Sequence, residues 1–284
     1  MPTKQNTSAN PLAFDSEMAQ RLEVLYNTRD ARRRRSLVLQ AVAAASGERI
    51  IDIGCGAGFY LSALAEVVGT DGSLVGVDSS APMLKIAHQR CGGDDHVSLH
   101  QADAGALPID DASIDAALSV QVFEYIKDPA QALAEIHRVL KPGGRTVMWD
   151  VDWATISWHS TNPTRMKRIL RTWEEHLANP SLPRTLAAHM RQAGFDQVSF
   201  AAHPFASAEF DTESYGTAII PLIQDFTAGR SGVTADDALA WALEQRQLGE
   251  RGEFFFTCTQ FCFQGIKANH RHSTAAKEAE PAEP

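Results

Sequence analysis

The chain has 284 residues, 44% apolar and 21% charged, a balance that supplies a sizeable core and excludes collagenous, coiled-coil and low-complexity architectures. Lysine and arginine number 26 against 35 acidic residues, net −9, which argues against nucleic acid as a partner, since that affinity comes from neutralising phosphates. The four cysteines are irregularly spaced and read as reduced thiols, no apolar run reaches the roughly 18 residues that span a bilayer, and the opening lacks the apolar core of a secretory signal; the expected location is the cytoplasm.

Residues 1–50 hold eight basic and five acidic residues, net +3, leaving −12 for the remainder. Most of that excess is the run from Arg29 to Arg35. It reads as the solvated face and entry turn of a helix reaching about residue 45, with an anion contact as the alternative. Residues 1–34 are expected to form an N-terminal cap segment before a main domain over 35–267. Residues 268–284 have no large apolar side chain and are expected to be a disordered tail.

Short β-branched runs at 49–53, 73–77, 97–101, 114–120 and 145–151 read as strands, each followed by a helical stretch, so their sheet should be parallel. Ser79 or Ser80 can cap a helix whose first turn holds Pro82. Asp128 and Pro129 make the same pair for the next helix, which Lys141-Pro142-Gly143-Gly144 stops. Beyond 151 come an aromatic-rich stretch at 153–173, a helix near 182–193, a strand near 197–203 and helical patterns at 212–227 and 234–248. The last run, 253–266, is apolar on both faces, as a strand inside a sheet requires. The predicted fold is a Rossmann-like α/β body: a seven-stranded, mostly parallel sheet with helices on both faces and helical lid insertions near 153–180 and 205–250.

The chemistry is concentrated where Ile50-Ile51-Asp52-Ile53 runs into Gly54-Cys55-Gly56-Ala57-Gly58. Glycines are needed where the chain turns tightly and a ligand approaches the backbone itself. Asp78 stands 20 residues beyond Gly58, at the end of the second strand, where a carboxylate takes the hydroxyls of a ribose. A dinucleotide fingerprint G-x-G-x-x-G would place glycine at 59, and Phe59 stands there.

The pattern D-x-G-x-G-x-G resembles the first motif of the class I S-adenosylmethionine-dependent methyltransferases. Further matches are Val77-Asp78-Ser79-Ser80-Ala81-Pro82-Met83-Leu84, Gln101-Ala102-Asp103-Ala104-Gly105-Ala106-Leu107-Pro108, and the run from Glu135 to Gly144. The likeness covers about residues 35–150 and the final strand, and is greatest to the small-molecule subgroup containing the C-methyltransferases of ubiquinone and menaquinone biosynthesis. It implies S-adenosylmethionine as cofactor. It implies that Gly54, Cys55, Gly56 and Gly58 line the methionine end, that Asp52 meets the ammonium group, and that Asp78, with Ser79 beside it, binds the ribose. Met83 would pack against adenine, Asp103 and Ala104 would hold its edge, and Gln121 would complete the site. Tyr26 either closes over the cofactor or packs in the core. The subgroup usually has Leu-Glu-His after the fourth strand; this chain has Phe123-Glu124-Tyr125, so that histidine has no counterpart.

The implied reaction is in-line methyl transfer to a small, apolar or aromatic acceptor, in which positioning dominates for a ready nucleophile and a base is needed for a carbon acid or phenol. Strand ends are where ligands sit in such a sheet, which selects Gln121, Glu124 and Tyr125 after the fourth strand and Asp150, Asp152, Trp153, Trp158 and His159 after the fifth as acceptor-side candidates, with Tyr125, Asp152 and His159 as candidate catalytic groups. Alternatives stand beside three of these: a loop position for His159, a structural cap for Asp152, and a lid core for the tryptophans. No metal site is expected. His96 and His100, or Cys258 and Cys262, would lie roughly 13 Å apart on a strand, too far to share an ion. A nucleic-acid or protein methyltransferase and a non-catalytic cofactor-binding module are the competing functions, and oligomeric state is left open.

Overall fold

The computed structural model describes residues 16–269. The apolar runs form the strands where they were expected: β1 (Arg49–Ile53), β2 (Ser73–Asp78), β3 (Val97–Gln101), β4 (Ile114–Val120), β5 (Leu140–Trp158), β6 (Phe195–Ser207) and β7 (Phe256–Lys267). They make one sheet in the order β3-β2-β1-β4-β5-β7-β6. The first five are parallel, β1 pairing with β2 from Arg49↔Ser73 to Ile53↔Val77, while β7 runs antiparallel between β5 and β6. The order reverses between β1 and β4, and the crevice at that switch point is where an open α/β sheet takes its ligand.

Both faces of the sheet are covered. Alternation along β1 sends Ile50 to one core and Ile51 and Ile53 to the other. The first core is completed by α2 (Arg29–Val42), α3 (Phe59–Val68) and α4 (Ala81–Cys91), the second by α5 (Pro129–Val139) and α7 (Pro183–Gln192). The predicted caps form: the Ser80 side chain accepts from the Met83 N–H, and Asp128 from that of Gln131. The Trp149 ring is fully buried and its Nε1 donates to Gln260 Oε1 at 2.6 Å, so truncating it would cost about 3–5 kcal/mol.

Several expectations are corrected. The expected N-terminal helix is α2, started at the Arg29 run by the Thr28 side chain accepting from Ala31 N and ended at Ala43 in the left-handed region, and a further helix, α1 (Ser16–Tyr26), precedes it. Residues 102–113 form no helix. Gly105 and Pro108 break the pattern, and Arg138 of α5 stitches the loop through Ile109 O and Leu107 O. The segment 153–158 continues β5 as strand rather than opening a lid, with a register shift against β7 between Asp152 and Ser157. Four helices follow from the two insertions: α6 (Pro163–Trp173), then α8 (Tyr215–Ala218), α9 (Ile220–Thr227) and α10 (Ala235–Glu250). The 212–227 pattern divides at Pro221, which lacks the N–H to continue the helix. Phe255 precedes β7 and is exposed rather than buried. Residues 1–15 of the cap segment and 270–284 of the tail lie outside the described residues.

Candidate active site

A cleft of about 540 Å³ opens at the carboxyl ends of β1, β2 and β4. Its floor is backbone. Gly54 has φ +70°, and a Cβ there would lie 2.2 Å from Val122 Cγ2, so the position admits no side chain unless Val122 moves. The Gly54 and Cys55 N–H groups donate to Val77 O at 2.7 and 3.0 Å, locking the turn onto β2. Asp78 is held from both sides: Oδ2 accepts from Gly56 N and Oδ1 from Ser80 N, each at 2.8 Å. Burial raises its pKa and these two donors oppose the rise, which preserves an acceptor facing the cleft. Ser79, Met83, Asp103 and Ala104 also line it.

Gly58 does not line the cleft. With φ +78° it starts α3, and a Cβ would sit 3.1 Å from the Ala87 backbone, so it permits close packing of α3 on α4. Further residues that line it include Gly105, Lys127, Asp128 and Gln131. Gln131 Nε2 donates to Gly105 O at 2.9 Å, tying the loop after β3 to α5. The 131 position follows from a capped helix start that sequence reading had identified only as a cap.

A side cavity of about 40 Å³ lies beside the glycine turn, walled by Asp52, Cys55, Arg34, Tyr60 and Gln121 among others. Asp52 is buried and its Oδ2 has no partner among the described residues. Burial and the nearby Asp78 charge push it up to about 8. Arg34, only 4% exposed, donates through Nη1 to Gln121 Oε1 and also bonds Tyr60. A buried carboxylate and a buried guanidinium in one small cavity complement a zwitterion. Arg34 was missed because it sits in a run read as solvated. The signal was available in the stripe Ala31, Arg34, Val38, Val42, the buried positions of α2. Arg35 of the same run donates to Tyr26 O and lies 4.3 Å over the Phe59 ring, with Arg90 3.6 Å from that ring. Phe59 thus anchors α1 and α2 beside the cleft.

A second side cavity, about 50 Å³, shares Tyr26, Gln121 and Tyr125 with the cleft and is lined by Leu22, Leu25, Glu124, Trp153, Trp173 and Tyr215 besides. Glu124 is fully buried; Oε2 accepts from Trp153 Nε1 at 2.9 Å, while Oε1 has no partner among the described residues. Trp173 Nε1 is likewise without one. Burial pushes Glu124 up to about 8, with the charge of Asp150 adding to the rise, and burial takes Asp150 to about 7. Gln121 joins all three cavities and holds φ +56°, a strained conformation for a residue with a side chain.

Three acceptor-side candidates lie elsewhere. Asp152 is buried in a pair with Arg184 at 2.9 Å and accepts from Ser181 at 3.1 Å. Trp158 is core, packed on Trp241 and Phe256, with Nε1 donating to Gly216 O at 3.1 Å. His159 is exposed in an open surface depression. None of the three lines the cleft or its side cavities. For Trp158 and His159 the physical reason is the extension of β5, which carries residues beyond Trp153 past the rim of the sheet, and for Asp152 it is the pairing with Arg184 and Ser181.

Residues 51–148 match the methyltransferase domain family. The chain is 32% identical over 199 residues to demethylmenaquinone methyltransferase of Lactiplantibacillus plantarum, a match covering 63% of this chain and 84% of that protein. It is 42% identical over 136 residues to an uncharacterised 37.1 kDa protein of a Streptomyces fradiae transposon, covering 48% of this chain but only 39% of that one. Phosphoethanolamine N-methyltransferase 2 of Haemonchus contortus, solved with S-adenosyl-L-methionine, has the same fold, with TM-score 0.61 at 18% identity over 94% of this chain and 61% of that one. The fold is that of the Rossmann-like methyltransferases. The chain belongs to the class I S-adenosylmethionine-dependent methyltransferases. Among the described residues no helix is long and apolar enough to cross a membrane.

Proposed function

We propose that the protein transfers a methyl group from S-adenosylmethionine to a small, largely apolar or aromatic acceptor by in-line displacement. The observation that carries this reading is the pairing of a zwitterion-complementary cavity with a nucleoside cleft: Asp52 and Arg34 on one side, Asp78 on the other. Asp52 takes an ammonium group, Arg34 a carboxylate, and Asp78 the two ribose hydroxyls. Met83 packs on the adenine ring, with Asp103 and the Ala104 backbone at its edge.

S-adenosylmethionine supplies a methyl group already activated on a sulfonium, so the protein's task is orientation and exclusion of water. Tyr26, Gln121 and Tyr125 stand at the boundary between the cleft and the apolar side cavity, where they align an acceptor with the methyl. Well-aligned reactants gain on the order of 7–11 kcal/mol. A side cavity of about 50 Å³ supports a small acceptor group rather than a macromolecular one, and its presence favours an enzyme over a cofactor-binding scaffold. The Lactiplantibacillus and Haemonchus proteins are named for different acceptors, demethylmenaquinone and phosphoethanolamine. The test is a small-molecule acceptor library scored for S-adenosylhomocysteine and for product mass. Methylated product from at least one small acceptor is expected; product formed only on RNA, DNA or protein would overturn the reading.

A further inference from the structure

We propose that the acceptor of this site is an amine, its nitrogen held in the side cavity against Glu124 and the surrounding rings. The inference rests on the methyl-transfer reading above and specifies its substrate class.

Three features of the cavity converge. Five aromatic residues line it, namely Tyr26, Tyr125, Trp153, Trp173 and Tyr215, and aromatic enclosures attract ammonium groups through the ring quadrupole. The only carboxylate in that lining is Glu124, whose buried Oε1 has no hydrogen-bond partner among the described residues. A buried carboxylate oxygen without a donor is costly, and an N–H of the ligand removes the deficit. No lysine or arginine lines the cavity; Arg34 lines the opposite one, engaged with Gln121 and Tyr60.

The charge distribution separates an amine from the other acceptors a methyl donor serves. Glu124 has Asp150 beside it, so an acceptor that reacts as an anion, a phenolate or an enolate, would enter against two carboxyl groups. An ammonium enters with them. The remaining walls, Leu22, Leu25, Ile219 and Leu222, fit an apolar body.

The same arrangement disposes of the proton. An ammonium has no lone pair to attack with; its N–H bond breaks with the electron pair staying on nitrogen while the proton goes to Glu124 Oε1. That pair then forms the N–C bond to the methyl as the S–C bond breaks with its electrons remaining on sulfur. Burial raises both Glu124 and Asp150 above the usual carboxylate range, with the Asp150 charge adding to the rise at Glu124, so Glu124 is a stronger proton acceptor than an exposed carboxylate. The groups that face Glu124 are Asp150, Arg34, Tyr26, Tyr125, Tyr215 and Cys258; the three tyrosines and the cysteine stay neutral there because burial raises each of them.

The experiment is calorimetry on the full chain loaded with S-adenosylhomocysteine at pH 7, with tetramethylammonium and its neutral near-isostere tert-butanol as probes, in two buffers of different ionisation enthalpy. Tetramethylammonium should bind at least tenfold more tightly and release protons, since a cation draws the carboxyl pair into its ionised form. Glu124→Gln should lower cation affinity at least tenfold and leave tert-butanol unchanged. If that variant fails to fold, the wild-type contrast between cation and isostere decides alone. Equal affinities, or tighter binding of 4-nitrophenolate, would overturn the amine assignment while leaving cofactor binding intact. Failure of S-adenosylhomocysteine to bind would overturn the methyl-transfer reading and this inference with it.

Discussion

The floor of the cleft and its roof are built by different means. The floor comes from consecutive strand ends and the turns that leave them, with Gly54, Gly56, Asp78 and Asp103 presented by β1, β2 and β3 in chain order. Its specificity lies in backbone geometry, where a single Cβ at Gly54 would meet Val122 at 2.2 Å. The roof is assembled from side chains that are far apart in the chain: Tyr26 from α1, Glu124 and Tyr125 after β4, Trp153 from β5, Trp173 from α6 and Tyr215 from α8. A ligand common to a whole family can be held by the first device, whereas the second lets one fold serve many acceptors.

Gly54→Ala tests the floor most severely. It adds overpacking of about 1–3 kcal/mol to about 1–2 kcal/mol for a side chain in the left-handed region. At about 2–4 °C per kcal/mol for a chain of this size, thermal melts should fall by roughly 5–15 °C, with cofactor binding lost. An unchanged melting temperature would show that Val122 yields freely and that the floor is less rigid than argued.

Asp78→Ala and Arg34→Leu come next. Each removes charge-assisted hydrogen bonds worth roughly 1.5–3 kcal/mol apiece, so titration should record cofactor affinity lower by at least about tenfold in a folded protein. Equal affinity in either variant would detach that residue from the cofactor.

Stability should also depend on pH through the buried carboxyls. Asp52, Glu124 and Asp150 have folded pKa values raised to about 8, 8 and 7, above those of an unfolded chain. The folded state therefore keeps protons that the unfolded state releases, and stability is lost as pH rises from the ordinary carboxylate range through about 8. Urea melts of the cofactor-free protein should show lower stability at pH 8 than at pH 5, by roughly 1 kcal/mol or more, and Glu124→Gln should flatten that decline. A steeper fall in the variant would place the charge burden elsewhere.

The smallest effect is expected at His159. Its exposure and distance from the cavities place His159→Ala among surface changes of about 0.5 kcal/mol, so turnover should stay within about twofold of the wild type. A large loss of turnover would bring the surface depression into the site.

The contrast between floor and roof also explains what was legible in the sequence. Asp52, Gly54, Gly56, Asp78, Met83, Asp103 and Ala104 all line the cleft or its first side cavity, because their geometry is fixed within short segments that carry recognisable spacing. Gly58 has a packing role instead, since spacing alone does not distinguish a glycine facing a ligand from one facing a helix. In the roof, Gln121, Glu124, Tyr125 and Trp153 were reachable from the rule that ligands gather at strand ends, while Trp158 and His159 lie outside the cavities because β5 continues to Trp158, which nothing local announces, and Asp152 because it pairs with Arg184. Tyr215 and Trp173 belong to insertions whose docking depends on the whole fold. Arg34 was the exception: its helical stripe was visible, yet it and the four arginines around it read as one solvated group.

The measurement that bears most directly on the division between floor and roof is titration of the wild-type chain with S-adenosylmethionine and, separately, with a nicotinamide dinucleotide. With Phe59 held between Arg35 and Arg90 where a dinucleotide fold needs glycine, S-adenosylmethionine should saturate one site per chain and the dinucleotide should not compete. Tighter binding of the dinucleotide would contradict the account.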